Sequence, residues 1–258
     1  MPTVDGLHYF LHEGGMLSRP AVILIHGLGG DYLSWPADVR RLADHTVYAL
    51  DLPGHGKSSG PDLQSIAAYA ERVVRFLNDV GLFKAVIVGH ALGGAVALTL
   101  AAEHPERVAG IVLIASGGRL PMASSLMENA ASPSTFPQAV QALQEAAFGP
   151  HAKVSLKEMT SKRLLVSRPT LLYHDLLACD AFDISPRLAD IRIPTLIICG
   201  TADRICPLRY AENLASSIPG AALQTVEDAG HMVMLEQPRR VAGLLNLFLA
   251  TLPYQAGA

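Results

Sequence analysis

Residues 86–97 of this chain, which read Val-Ile-Val-Gly-His-Ala-Leu-Gly-Gly-Ala-Val-Ala, decide its fold. An apolar, β-branched run ends at Gly89, and a helical pattern of small residues follows from Gly93. The spacing Gly89-x-Ala91-x-Gly93 predicts a sharp turn from a buried strand into a helix, because larger side chains at the two glycines would collide with both elements. The turn forces Ala91 toward positive φ, which costs an L-residue about 1–2 kcal/mol.

Short, continuously apolar runs recur on both sides of this turn. The clearest are Ala21–Ile25, Thr46–Leu50, Ala85–Val88, Gly110–Ala115 and Thr195–Cys199. Runs of this kind fit strands buried on both faces, as in a parallel sheet covered by helices. Helical patterns lie between or after them, at Ile66–Val80, Gly93–Glu103 and Arg239–Leu249. The alternation predicts βαβ units in an α/β fold.

One region interrupts this rhythm. From about Gly117 to Pro186 there is no strand-like run, and the composition turns rich in Met, Ser, Ala and Leu. About seventy residues is long for a single crossover, so we predict a helical cap over the carboxyl edge of the sheet. In this interpretation residues 118–185 form the cap and residues 1–117 and 186–258 form the core. Ordinary crossover helices are the alternative.

Composition excludes several classes of protein. The 258 residues are 50% apolar, which is ample for a core and rules out a disordered chain. With 20 Lys+Arg against 23 Asp+Glu the net charge is -3, which gives no electrostatic reason to expect nucleic acid or an anionic membrane as a partner. No apolar run approaches the ~18 residues of a membrane span, and no leader precedes the first strand. We therefore expect a cytoplasmic, soluble protein, whose oligomeric state the sequence leaves open.

The chain has three cysteines, Cys179, Cys199 and Cys206. Their number is odd and their spacing is not that of a metal site, which indicates a reducing compartment. Pairing of Cys199 with Cys206 remains open at this level. No cluster of candidate ligands suggests a metal, and we expect neither a metal nor an organic cofactor.

The turn at residues 89–93 resembles the nucleophile elbow, Gly-x-Ser-x-Gly, of the α/β-hydrolase superfamily, with Ala91 where the serine would stand. The resemblance runs from about Ala21 to Leu249 and is closest to the small capped esterases, lipases and enol-lactonases. Alanine differs from serine by one oxygen, so we interpret Ala91 as an engineered serine-to-alanine change. A natural pseudoenzyme is the alternative. An aspartate nucleophile fits less well, since relatives of that type follow it with Trp-Gly rather than Leu92-Gly93.

Two later loops resemble the family's acid and base signatures. Residues 200–207 contain Gly-x-x-Asp-x-x-x-Pro, which implies that Asp203 is the acid of the triad; its alternative role is to cap the next helix. Residues 230–238 contain Gly-His-x4-Glu-x-Pro, which implies that His231 is the base. We expect Glu236 to fix the loop or to cap the final helix rather than to take part in the chemistry. The order nucleophile, acid, base is the one this fold uses.

Two loops near the N-terminal half complete the resemblance. His26-Gly-Leu28-Gly-Gly resembles the family's oxyanion loop, which implies that the backbone N–H groups of Leu28 and Leu92 form the oxyanion hole. We expect His26 to be structural. In residues 51–58, Asp51 and Ser58 are expected to fix the loop, and His55 is expected to be a solvated turn residue.

The resemblance implies a serine hydrolase acting on a small apolar carboxylic ester or lactone. We expect an apolar pocket walled by Leu28, Leu92, Met122, Leu126, Met127, Met232 and Val233. The alternatives are a ligand-binding protein without chemistry, acyl transfer or haloperoxidase activity on the same triad, and carbon–carbon bond hydrolysis. The last is disfavoured because those relatives often place Trp, rather than Met, after the histidine.

Overall fold

The computed structural model describes residues 2–14 and 19–253. Eight strands form one sheet: β1 (Thr3–Val4), β2 (Leu7–His12), β3 (Ala21–Ile25), β4 (Val47–Leu50), β5 (Ala85–His90), β6 (Val108–Ile114), β7 (Thr195–Gly200) and β8 (Ala222–Val226). Their order across the sheet is β1-β2-β4-β3-β5-β6-β7-β8. Strands β3 to β8 pair in parallel. At one edge, β2 runs antiparallel to β4 and β1 runs antiparallel to β2. The mostly parallel sheet expected from the sequence is confirmed.

Ten α-helices accompany the sheet. They are α1 (Ala37–Arg40), α2 (Ile66–Asp79), α3 (Leu92–Glu103), α4 (Ser124–Ala130), α5 (Phe136–Ala147), α6 (Val154–Leu165), α7 (Pro169–Asp180), α8 (Leu208–Ser217), α9 (Val233–Glu236) and α10 (Pro238–Thr251), counted over the described residues. Helices α2, α3 and α8 contribute to the core on one face of the sheet, and α1, α9 and α10 to the core on the other.

Strand β3 shows why the predicted runs are continuously apolar. Ile23 and Ile25 pack into one core and Val22 and Leu24 into the other, because successive side chains of a strand point to opposite faces. All of them are fully buried. The edge strands β1 and β2 were not predicted, since β1 is only two residues long and β2 mixes histidines with apolar residues.

Four helices, α4 to α7, lie between β6 and β7. They pack a small core of their own, to which Phe136, Val140, Leu172 and Leu176 contribute. Leu28, in the loop after β3, packs against this cluster, so the insertion lies over the carboxyl ends of the parallel strands. The division of the chain into a cap of residues 118–185 and a core remains a prediction.

Two further expectations meet the structure here. The three cysteines are buried free thiols, so Cys199 and Cys206 are not paired. Burial raises the pKa of the Cys206 thiol well above its ordinary value, which makes it a poor nucleophile. Across the described ranges, no helix combines the length and the apolar character needed to cross a membrane.

Gly93 packs directly against the end of β3. A Cβ atom at this position would lie 2.1 Å from the carbonyl oxygen of Ile25, so a side chain cannot enter without moving backbone. We expect Gly93→Ala to lower the free energy of unfolding by about 3 kcal/mol or more. The matched control is Gly243→Ala, on the exposed face of α10, where an added Cβ atom would meet no other part of the protein within 4 Å beyond its own turn of helix. This variant should raise the free energy of unfolding by about 0.5–1 kcal/mol. Urea unfolding measures both, and equal effects would contradict this account.

Candidate active site

Ala91 occupies the turn between β5 and α3 with φ 48° and ψ -109°. This backbone conformation favours glycine and costs an alanine about 1–3 kcal/mol. Hydrogen bonds hold it on both sides: the Ala91 N–H donates to the Ile114 carbonyl at 3.0 Å, and Ser116 Oγ donates to the Ala91 carbonyl at 2.9 Å. Both hydrogen bonds use backbone atoms of residue 91, so they attach it to the end of β6 and do not depend on its side chain.

The two residues expected to form the oxyanion hole, Leu28 and Leu92, lie in different segments. Leu92 is the first residue of α3, so its N–H has no acceptor within the helix and lies at the positive end of the helix dipole. Leu28 lies in the tight turn after β3, in which the Gly30 N–H donates to the Gly27 carbonyl at 3.1 Å. The Leu92 side chain packs into the core, whereas Leu28 lines a pocket.

Asp203 and His231 are brought together from loops 28 residues apart in sequence. His231 Nδ1 donates to Asp203 Oδ2 at 3.0 Å, and both side chains are buried. Asp203 Oδ1 accepts from the N–H groups of Ile205 and Cys206, each at 2.8 Å. One carboxylate thus fixes its own turn with one oxygen and the imidazole with the other. The alternative role weighed in the sequence, a cap of the next helix, is wrong, since α8 begins after Pro207 with no side-chain hydrogen bond at its N-cap.

His90 connects the turn at residue 91 to the histidine loop. Its Nε2 donates to the backbone carbonyl of His231 at 3.0 Å, and the two imidazole rings lie 4.7 Å apart between centroids. Burial, together with the nearby His231, lowers the pKa of His90 well below its ordinary value, so its imidazole is neutral. Residues 90, 91 and 231 therefore share one small region at the sheet edge.

Glu236 fixes the histidine loop from behind, as the sequence indicated. Its carboxylate accepts from the N–H groups of Gly230 and Gly149, both at 2.9 Å. Burial raises the pKa of this carboxyl group above its ordinary value, while the two N–H donors act in the opposite direction. Because Gly149 follows α5, the contact also ties the insertion to the histidine loop.

His26 holds the first loop, as expected. Its Nδ1 donates to the Gly27 carbonyl at 2.8 Å, and its Nε2 accepts from the Leu52 N–H at 3.0 Å. Asp51 fixes the neighbouring loop by accepting from the N–H groups of Tyr32 and Lys57 at 2.7 Å and 2.9 Å. Burial, followed by the proximity of His55, lowers the pKa of His26 to about 4.

The expectation for His55 was wrong. The side chain is 1% exposed, and its Nε2 donates to Asp175 Oδ2 at 2.9 Å while its Nδ1 donates to the Pro53 carbonyl at 3.0 Å. Burial alone would lower the pKa of His55, but Asp175 and these hydrogen bonds raise it above its ordinary value. Sequence analysis missed Asp175 altogether, although an aspartate among buried leucines of α7 was a usable signal.

A pocket of about 120 Å³, partly open to solvent, lies between the core and the insertion. Its apolar and histidine walls are Leu28, His90, Ile205, His231, Met232 and Leu235 from the core, and Val140, Leu143, Ala147, Phe148 and Leu164 from the insertion. Arg163 of α6 forms an ion pair with Asp31 at one side of this pocket.

The expected lining was only partly right. Leu28 and Met232 line the pocket, but Leu92 and Val233 are buried in the core. The methionines expected from the insertion, Met122 and Met127, pack with Leu126 against the core of the insertion itself. Side chains of α5 and α6 line the pocket instead. The sequence shows that these helices have apolar residues, but not which of them face the pocket. Among the described residues, no group of three or more His, Cys, Asp or Glu side chains could hold a metal ion.

Comparisons with known proteins confirm the α/β-hydrolase fold expected from the sequence. A model of the alpha/beta hydrolase family matches residues 22–244. The dihydrolipoyllysine-residue acetyltransferase component of the acetoin cleaving system of Cupriavidus necator is 33% identical, over 95% of this chain and 67% of that protein. A thermophilic esterase of solved structure is 34% identical, with a TM-score of 0.83 over 96% of this chain and 95% of the esterase. An N-acyl homoserine lactone degrading enzyme is 27% identical, with a TM-score of 0.84 over 95% of this chain and 98% of the enzyme.

The strain at Ala91 can be measured directly. We expect Ala91→Gly to raise the free energy of unfolding by about 1 kcal/mol, because relief of the positive-φ strain outweighs the larger entropy of an unfolded glycine. The matched control is Ala142→Gly, at an exposed position within α5, which should lower it by about 1 kcal/mol. Denaturant unfolding gives both values. A loss of stability in both variants would mean that residue 91 is not strained.

The low pKa of His26 predicts acid sensitivity. Between about pH 6.5 and 4 the unfolded chain binds a proton at residue 26 that the folded chain does not, so the free energy of unfolding should fall as the pH is lowered across this range. The loss from this residue is at most about 3 kcal/mol, and His90 acts in the same direction. His26→Gln should be less stable at pH 7 but should show a smaller dependence on pH in urea unfolding. If the free energy of unfolding of His26→Gln depends on pH as steeply as that of the unchanged chain, His26 is not a cause of the acid sensitivity.

Proposed function

The chain belongs to the α/β hydrolase family, and from this premise we propose that its site is built to hydrolyse a small, apolar carboxylic ester or lactone. The observation that carries the proposal is the buried hydrogen bond between Asp203 and His231, which lies near the strained turn at residue 91. His231 also lines the pocket. An imidazole held at Nδ1 by a carboxylate has its Nε2 available to a substrate or a nucleophile.

In this proposal Ala91 stands in place of a serine nucleophile. With serine at this position, the hydroxyl would attack the ester carbonyl, and His231 would accept its proton and return it to the leaving alcohol, which leaves an acyl-enzyme. Water, deprotonated by His231, would then attack the acyl-enzyme, release the acid and restore the serine. Asp203 would hold the tautomer of the imidazole throughout. The N–H groups of Leu28 and Leu92 would stabilise the tetrahedral oxyanion, and a single such donor can contribute ~2.7–4 kcal/mol. Alanine preserves the strained backbone and removes only the attacking oxygen, so the chain as it stands binds substrate without turnover.

The substrate class follows from the walls of the pocket. Most of the lining surface is apolar, which suits an apolar acyl or aryl group. Polar side chains also line it, namely Asp31, Ser34, Gln144, Thr160, Ser161 and Arg163. The esterase and the lactone-degrading enzyme of similar structure support the same substrate class. No step of the proposed reaction needs a metal or an organic cofactor.

A ligand-binding protein without chemistry is the second candidate, and the alanine at residue 91 favours it directly. The two candidates share the pocket and the binding of the ester. They differ in what a serine at residue 91 would do, because a retained catalytic apparatus becomes active when the oxygen is restored, whereas a pocket specialised for binding alone does not.

We expect the chain with Ala91 to bind p-nitrophenyl butyrate but to hydrolyse it about 10⁶-fold more slowly than Ala91→Ser, the loss seen when a triad serine is removed. In the Ala91→Ser protein, His231→Ala should cost nearly as much as losing the serine, and Asp203→Asn should cost about 10⁴-fold. Release of p-nitrophenolate gives the rates, and a panel of lactones followed by pH-stat extends the assay.

The matched control is His104→Ala in the same Ala91→Ser protein, since His104 is a surface histidine paired with Glu71 away from the pocket. Its rate should be unchanged. If Ala91→Ser hydrolyses no ester or lactone, the ligand-binding candidate replaces the enzyme. If hydrolysis survives His231→Ala, the base has been wrongly assigned.

A further inference from the structure

We propose that Asp175 of the insertion is a positioning residue, whose carboxylate fixes the turn that carries the oxyanion-hole N–H of Leu28. The oxyanion hole would then be complete only while α7 is docked on the core. The inference rests on the proposed function, because it assigns a role within the same site.

Asp175 accepts hydrogen bonds from three separate segments of the core. Its Oδ2 accepts from the Gly29 N–H and from His55 Nε2, each at 2.9 Å, and its Oδ1 accepts from the Tyr69 hydroxyl at 2.6 Å. The residue is completely buried. These donors belong to the turn after β3, the loop after β4 and α2, so a single carboxylate on the insertion joins all three.

The contact with Gly29 acts on the peptide next to the proposed oxyanion donor. Holding the Gly29 N–H fixes the plane of the peptide between Leu28 and Gly29, and with it the backbone direction at Leu28. Gly29 has φ 56°, and a Cβ atom there would lie 2.4 Å from Leu164 and 3.7 Å from Leu172, which both belong to the insertion. The turn is thus packed against the insertion as well as hydrogen-bonded to it.

The charge of Asp175 strengthens this attachment. Burial alone would raise the pKa of the carboxyl group, but His55 and the donors from Tyr69 and Gly29 lower it, so the group is ionised. Both ring nitrogens of His55 donate to oxygen acceptors, which is the pattern of an imidazolium. A hydrogen bond from an N–H group to a carboxylate is about twice as strong as one between neutral groups.

If the role of Asp175 were purely structural, loss of any of its contacts would affect kcat alike. In a positioning role, only loss of the contact with Gly29 lowers kcat. Tyr69 provides the comparison, because its hydroxyl reaches the other carboxylate oxygen and does not touch the turn. Removing that hydroxyl should weaken the attachment of α7 to α2 and leave the Leu28 N–H in place.

The first experiment uses the Ala91→Ser protein and a p-nitrophenyl ester. We expect Asp175→Ala and Asp175→Leu, which cannot accept from Gly29, to lower kcat about 10- to 100-fold while KM changes less than about threefold, since the oxyanion hole acts in the transition state. Asp175→Asn retains an acceptor oxygen and should recover most of the loss. Tyr69→Phe should leave kcat within about twofold. Equal losses in Asp175→Ala and Tyr69→Phe, or an unchanged kcat in both Asp175→Ala and Asp175→Leu, would overturn the proposal.

The second experiment needs no activity and uses the chain with Ala91. Amide hydrogen exchange, followed by NMR, should show that Gly29 loses protection in Asp175→Leu and keeps it in Tyr69→Phe and Asp175→Asn. Should Asp175→Ala not fold, Asp175→Leu fills the space and keeps both tests open. If Ala91→Ser is inactive while Gly29 behaves as expected, the proposed function fails and the attachment of the turn stands. Unchanged protection of Gly29 in Asp175→Leu rejects the attachment itself.

Discussion

The close approach of Gly93 to the carbonyl group of Ile25 constrains everything around the candidate site. It places the start of α3 against the end of β3, and Gly89 packs equally closely against the Gly93 carbonyl. Between these two contacts the chain has one way to turn, and that turn puts residue 91 at positive φ. The strain is a consequence of packing two backbones without side chains between them, and it persists although residue 91 is an alanine.

Around this turn the site is held by buried and half-buried carboxylates, each of which accepts at least two hydrogen bonds. Asp203 divides its two oxygens between its own turn and His231, and Glu236 holds the backbone on the other side of the same histidine. From the insertion, Asp175 holds the turn after β3 by accepting from the Gly29 N–H. A buried carboxylate without partners would cost several kcal/mol, so these groups fix the loops because alternative loop positions would leave charge unpaired.

The insertion therefore does more than cover the pocket. It contributes the apolar wall through α5 and α6, a carboxylate to the core through Asp175, and a backbone N–H to the histidine loop through Gly149. Its outer face, by contrast, leaves Val154 and Val166 exposed. The insertion therefore contacts the core through hydrogen bonds as well as through apolar packing, and its apolar side chains line the pocket together with His231.

Elements that depend on local rules could be predicted from the sequence. Apolar runs such as Ala21–Ile25 predicted parallel strands because both faces of each strand must be buried. The glycine spacing around Ala91 predicted the turn because the steric requirement is local, and the spacing of Asp203 and His231 predicted two loops whose side chains do meet.

The burial of His55 and the lining of the pocket depend on residues far apart in the chain, so they became visible only once the chain was folded. His55 lies 120 residues from Asp175 and Gly29 lies 146 residues from it, so no pattern around His55 could show that this histidine is buried and paired rather than solvated. The pocket walls were equally out of reach. Helical periodicity gives several apolar residues to each helix of the insertion, and only packing assigns Val140 and Leu164 to the pocket and Met127 to the core of the insertion.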